Sequence, residues 1–190
     1  MIEIKVYKKM SFEDLSSEFV SSRRLETGSL NALTAACAAS LFKRAVDSVG
    51  DGEREEYLKR NAEILRTYMI HLIDDDVKAR AGLEKEKKTG TPERLEAAVH
   101  PACSINEEII NMMHQMLELC VESLEIVPQN KIHFIQEAAE LAMGAVRSSR
   151  IWILNLVESC CDETYKYVVR RENEITLSEC EELCRKISAF

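Results

Sequence analysis

The sequence predicts an all-α fold, a bundle of about five to seven long helices in a single domain spanning residues 1–190. Three observations carry that expectation. Only 6 Gly and 3 Pro interrupt 190 residues, and the stretches between them are rich in Ala, Leu, Glu, Lys and Arg, the strongest helix formers. Apolar residues recur along these stretches with helical spacing. A hydrophobic content of 46% supplies enough buried surface for a core that needs no staples.

The elements follow in order. Ser11 followed by "FEDL" is an N-cap with an acidic residue three positions on, opening a short helix to about Ser21. "RRLETGS" breaks the pattern, and Ser29 to about Val49 reads as a central helix with small residues on all sides, suited to close approach by its neighbours. "GDGE" ends it. A long helix is predicted from Glu53 to about Lys88, closing in the solvated charge run "EKEKK". Thr91 caps the next helix, with Pro92 at its first position and Pro101 as a potential kink, and that helix reaches about Ile126. Another starts at Lys131 and continues past Tyr165. "ITLSECEELCRKI" supplies the last, capped by Thr176 or Ser178. No self-similar motif accompanies these helices, which excludes a solenoid.

Composition narrows the function classes. The net charge is −8, with acids spread along the chain and no basic stripe to hold a nucleic-acid backbone, so no nucleic-acid partner is expected. Seven cysteines, an odd number without a CxxC pair, read as reduced thiols packed as small hydrophobes. Cys180 and Cys184 share a helix face and could meet Cys160 or Cys161 around a metal. The ligand spacing of zinc motifs is missing, however, and no metal is expected. The uncharged stretch Leu30 to Phe42 is too short to span a membrane, and "MIEIKVYKKM" lacks the apolar core of a signal peptide. The expectation is a cytoplasmic protein without membrane contact.

"LIDDDVKARAGL" places three aspartates inside a helical run. Each residue turns about 100° on a helix, so the apolar stripe through Leu65, Met69 and Leu72 continues through Asp76, Ala79 and Leu83. The same arithmetic sets Asp74 on the opposite, solvated side and Asp75 on the flank. A carboxylate on a core stripe must be paired, hydrogen-bonded or protonated, because an isolated buried charge costs several kcal/mol. Asp76 is therefore either a structurally bonded carboxylate or an acid/base group.

The helix from Lys131 has two non-polar faces. Ile135, Ala139, Ala142, Val146, Ile153 and Cys160 form one, and Leu141, Gly144, Ser148, Ile151 and Asn155 the other. Such a helix is either the middle of a bundle or shared with a second subunit.

Taken together, "SFEDLSSEFVSS", "TGSLNALTAACAASL", "LIDDDVKA", "PQN" and "RSSRIWILNLVE" resemble, in order and separation, the formiminotransferase-cyclodeaminase family, which includes stand-alone methenyltetrahydrofolate cyclohydrolases. The resemblance spans nearly the whole chain. It implies an all-helical bundle that forms a homodimer and acts on one-carbon tetrahydrofolate derivatives. The expected partners are thus a folate-type small molecule and a second copy of the chain, with no cofactor required.

Asp76 matches the family's most characteristic aspartate, which implies a catalytic acid/base role. Gly28 and Ser29 match the end of the family's glycine-rich helix entrance, Asn130 its loop asparagine and Asn155 its late Asn-Leu element. All four are thereby implied in substrate binding. The pattern departs at two points: "LETGSL" lacks the proline and the earlier glycines, and "KIHFIQEA" lacks the aspartate expected after Asn130.

Arg23, Arg24, Lys43, Arg44, Arg147 and Arg150 are the basic residues best placed in sequence to meet a folate carboxylate tail, the alternative being surface ion pairs. His71 falls about 140° around the helix from Asp76, which argues against a pair. His133, beside Asn130, either enters a cleft or is exposed. Three readings are compatible with these residues. One is a cyclodeaminase or cyclohydrolase using Asp76 as acid/base. The second is a non-catalytic relative, a dimeric bundle that binds folate or a partner protein. The third is a chance all-α likeness with an unrelated adaptor role.

Overall fold

Ser11 caps the first helix as its sequence requires: its hydroxyl accepts from the Asp14 N–H at 3.1 Å and donates to the Asp14 carboxylate at 2.6 Å. The structure, a computed structural model, describes residues 6–21, 25 and 27–190. These form six α-helices: α1 (Phe12–Ser21), α2 (Thr27–Val46), α3 (Glu53–Thr89), α4 (Pro92–Ser123), α5 (Ile132–Val157) and α6 (Glu163–Ser188). Short 3-10 turns lie at Tyr7–Lys9 and Gln129–Lys131. No strand occurs among the described residues.

Helices α2, α3, α4 and α5 pack in a ring, α2 also touches α4 across it, and α6 lies against α4 and α5. Side-chain links give the directions. Ser29 meets Asp76, and Lys43 meets Glu63, so α2 and α3 are antiparallel. Arg44 over Phe134 places the end of α2 beside the start of α5, and Glu140 with Cys184 and Arg147 with Glu181 set α5 and α6 antiparallel. The Ala-rich sequence of α2 explains its central place, since Ala32, Ala35, Ala38, Ala39 and Ala45 are wholly buried and let three helices approach it closely.

Helix α3 is stabilised at both ends by charge. Glu53, Glu55 and Glu56 occupy its first turn and Lys87 and Lys88 its last, complementing the helix dipole. Pro101 lies inside α4, whose helix continues across it.

Two boundaries differ from expectation. The helix from residue 131 does not run past Tyr165; it stops at Val157, and the last helix begins at Glu163 rather than near Thr176. The cause is Asp162, whose carboxylate accepts from the N–H groups of Thr164 (2.8 Å) and Tyr165 (3.1 Å), an N-cap that starts a new helix. Asp162→Ala is expected to cost about 1 kcal/mol and Asp162→Asn much less, read by urea denaturation.

The inner face of α5 is buried as predicted, whereas Leu141, Gly144, Ile151 and Asn155 on its other face are exposed in the single chain. Buried Cys103, Cys120 and Cys180 pack as hydrophobes, and burial pushes the Cys103 and Cys180 thiols up to about 12. Among the described residues no three His, Cys, Asp or Glu side chains form a metal-binding group. None of the helices there is long and apolar enough to cross a membrane.

Candidate functional site

The stripe arithmetic for α3 holds except at Ala79, which is half-buried: Leu65, Met69, Leu72 and Leu83 are buried, and Asp76 is 0% exposed. Asp76 points at the first turn of α2. The Ser29 hydroxyl, itself buried, reaches the Asp76 Oδ2 at 2.8 Å and the Ile73 carbonyl oxygen at 3.3 Å. Gly28 makes this possible. A Cβ on Gly28 would stand 2.0 Å from the Asp76 Oδ1 and 2.5 Å from its Cγ, so the carboxyl group occupies the space a side chain would need. The carboxyl group thus sits at the positive end of the α2 dipole, where unpaired N–H groups of a first turn gather.

Arg80, one turn after Asp76, is also buried, and its guanidinium lies 4.5 Å from the centroid of the Trp152 ring on α5. A desolvated cation over an indole is a favourable contact of roughly 2 kcal/mol. Two residues beyond Ser29, the Asn31 amide donates to the Asn106 carbonyl oxygen at 3.2 Å, and Asn106 donates to the Ala102 carbonyl at 3.3 Å. This buried pair ties the start of α2 to α4.

The other two aspartates of the triplet differ from each other. Asp75 is the flanking residue expected, paired with Lys78 at 2.6 Å. Asp74 is not simply solvated: its carboxylate accepts from the Tyr7 N–H at 2.8 Å, because the 3-10 turn at Tyr7–Lys9 covers that side of α3. A hollow of about 590 Å³ lined by Ile64, Thr67, Tyr68, His71 and Asp75 opens on the Asp75 flank. The Tyr68 hydroxyl there donates to Glu108, which holds the phenol up at about 12.

The structure brings Gly28, Ser29 and Asp76 together and sets the two asparagines apart. Asn155, near the same end of the bundle, is exposed and donates to the Ile151 carbonyl of its own helix at 2.9 Å. Asn130 is exposed in the turn before α5, at the opposite end of that helix from Trp152, which lies roughly 30 Å along the axis from Ile132. Arg23 and Arg24 lie outside the described residues. Lys43 pairs with Asp47, Arg44 covers Phe134 and Arg147 pairs with Glu181. His71 is bonded to the Thr67 carbonyl, and His133 is exposed against Phe134.

Sequence reasoning did not name Arg80, Asn31 or Asn106 as site residues. Arg80 had a signal, since the position four after Asp76 shares its stripe. The asparagine pair, 75 residues apart, had none.

The described residues thus form an antiparallel all-helical bundle with a carboxyl group seated against a glycine at a helix start. The chain belongs to the formiminotransferase-cyclodeaminase family, whose model matches residues 26–174. Among solved structures, formiminotetrahydrofolate cyclodeaminase from Thermotoga maritima is similar in fold, with a TM-score of 0.88 over 96% of this chain and 96% of that one at 17% identity. No curated protein matches the chain.

Proposed function

We propose that the protein is a folate one-carbon enzyme of the cyclodeaminase or methenyltetrahydrofolate cyclohydrolase type, with Asp76 as its acid/base group. The observation that carries this reading is the Gly28–Ser29–Asp76 constellation: a carboxyl group on the family's aspartate position, oriented by a hydroxyl and set at a helix N-terminus. Family membership supports the substrate class, and the similar fold of a formiminotetrahydrofolate cyclodeaminase is consistent with it.

The chemistry asked of the site is modest. Cyclohydrolase action adds water to an electrophilic methenyl carbon, which needs a base to take a proton from the water. Cyclodeaminase action closes the ring with loss of ammonia, which needs an acid to protonate the leaving nitrogen. Asp76 would exchange those protons, and Ser29 would hold its carboxyl group in one orientation. Neither reaction calls for a cofactor. The exposed, largely apolar outer face of α5 supports a homodimer, with Gly144 and Ser148 permitting close helix contact.

One observation favours the second reading. Asp76 is 0% exposed within one chain, so substrate reaches it only if the surroundings of the carboxyl group open. A carboxylate that simply anchors α2 would suit a non-catalytic dimeric relative that binds folate or a protein partner.

The deciding experiment adds purified protein, with its oligomeric state fixed by sedimentation, to methenyltetrahydrofolate and to formiminotetrahydrofolate. Absorbance follows the first and ammonia release the second. Acceleration of either reaction above the spontaneous rate supports the enzyme. No acceleration of either overturns it and leaves the binding reading, and a monomer at assay concentrations removes the second copy.

A further inference from the structure

Away from Asp76, helices α4 and α6 face each other across a small polar hollow of about 80 Å³, lined by Glu107, Ile110, Asn111, Glu172, Asn173 and Thr176. Its composition is unusual for a contact between helices. Two carboxylates from different helices share it, and among the described residues neither Glu107 nor Glu172 has a Lys or Arg ion-pair partner or a hydrogen-bond donor. Burial, and after it the charge of Glu172, raises the Glu107 carboxyl above the usual carboxylate range, with His100 opposing weakly.

Asn173 supplies an independent sign. It is only 6% exposed, and its amide nitrogen is committed to the Val169 carbonyl at 2.9 Å, which fixes which way the group is turned. Its Oδ1 is buried and accepts no hydrogen bond. A buried amide oxygen left without a donor is unfavourable, so an occupant that satisfies it is called for.

We propose that this hollow is a binding site for a hard divalent cation, held by the carboxylates of Glu107 and Glu172 with the Asn173 amide oxygen and the Thr176 hydroxyl, and completed by water. All four donors are oxygens, the set that suits Ca²⁺, Mg²⁺ or Mn²⁺ rather than zinc or copper. The hollow is large enough for an ion with a few waters and too small for an organic ligand of folate size. The cation neutralises two facing carboxylates, satisfies the Asn173 oxygen and clamps α6 to α4, one of the two helices against which it chiefly packs. The site is independent of the folate reading.

The test titrates the full chain, freed of metal by chelator, with MnCl₂ while the free-ion electron paramagnetic resonance signal is followed. Melting curves in CaCl₂ and MgCl₂ are compared with KCl of equal ionic strength. Expected are one Mn²⁺ per chain and a saturable Tm rise of about 3 °C with a divalent ion and none with KCl. Glu172→Gln should lose both effects. Glu107→Gln should lose them too while melting, without cation, no lower than the wild type, because the repulsion across the hollow is gone. Absence of bound Mn²⁺, or equal binding by the folded Glu107→Gln/Glu172→Gln double variant, overturns the site.

Discussion

Asp76→Asn is expected to lower turnover of methenyl- or formiminotetrahydrofolate by about 10²–10³-fold while the chain stays folded. Asparagine keeps the size of the side chain and one acceptor for the Ser29 hydroxyl, which reaches Oδ2 at 2.8 Å. What it loses is the transferable proton and the charge facing the first turn of α2, the latter a stability term of about 0.5–1 kcal/mol. Initial rates across a range of substrate concentrations, with a melting curve for the same sample, separate the two losses. A kcat that falls with little change in KM identifies a group acting on the reacting atoms. A folded variant with unchanged rate would leave Asp76 as an anchor for α2 and remove its acid/base role.

Gly28→Ala is expected to destabilise the protein by about 2 kcal/mol, against the usual trend for a helical glycine. In an ordinary helix interior the change gains up to about 1 kcal/mol, because alanine is the better helix former. At Gly28 the new methyl group would stand 2.0 Å from the Asp76 Oδ1, and that carboxyl group is buried and bonded to Ser29, so it has little room to retreat. Gly82→Ala in α3 is the control, since nothing lies within 4 Å of its Cβ position, and it should raise stability. Chemical denaturation of the two variants, with slopes compared to confirm an unchanged transition, gives opposite signs if the contact is as described. Two gains would show that Asp76 swings aside freely.

The burial of Asp76 was legible in the sequence because it depends only on periodicity, and the same holds for the inner face of α5. Features set by distant parts of the chain were not. Asp74 sits opposite the core stripe, but Tyr7, 67 residues away, donates to it. The Asn31–Asn106 pair joins helices that no local pattern aligns. Arg80 shares the stripe of Asp76, yet a long cationic side chain can carry its charge out of a buried position, so spacing alone does not show that Trp152 receives it. The helix break at residues 158–162 was missed because apolar periodicity runs on across it, although Asp162 before Glu163 is a readable cap. The glycine entrance was legible only through likeness to a family; its physical reason, room for a carboxyl group from another helix, needed the third dimension.

The Arg80–Trp152 contact has an optical consequence. The chain contains one Trp, and it lies against the guanidinium one turn from Asp76. Its emission is therefore a built-in reporter from a single known location, with no background from other indoles. Any occupant that shifts Arg80, or changes how water reaches the ring, alters the intensity or wavelength of that emission. Unlabelled protein thus carries the signal needed to measure ligand equilibria and binding rates at this end of the bundle.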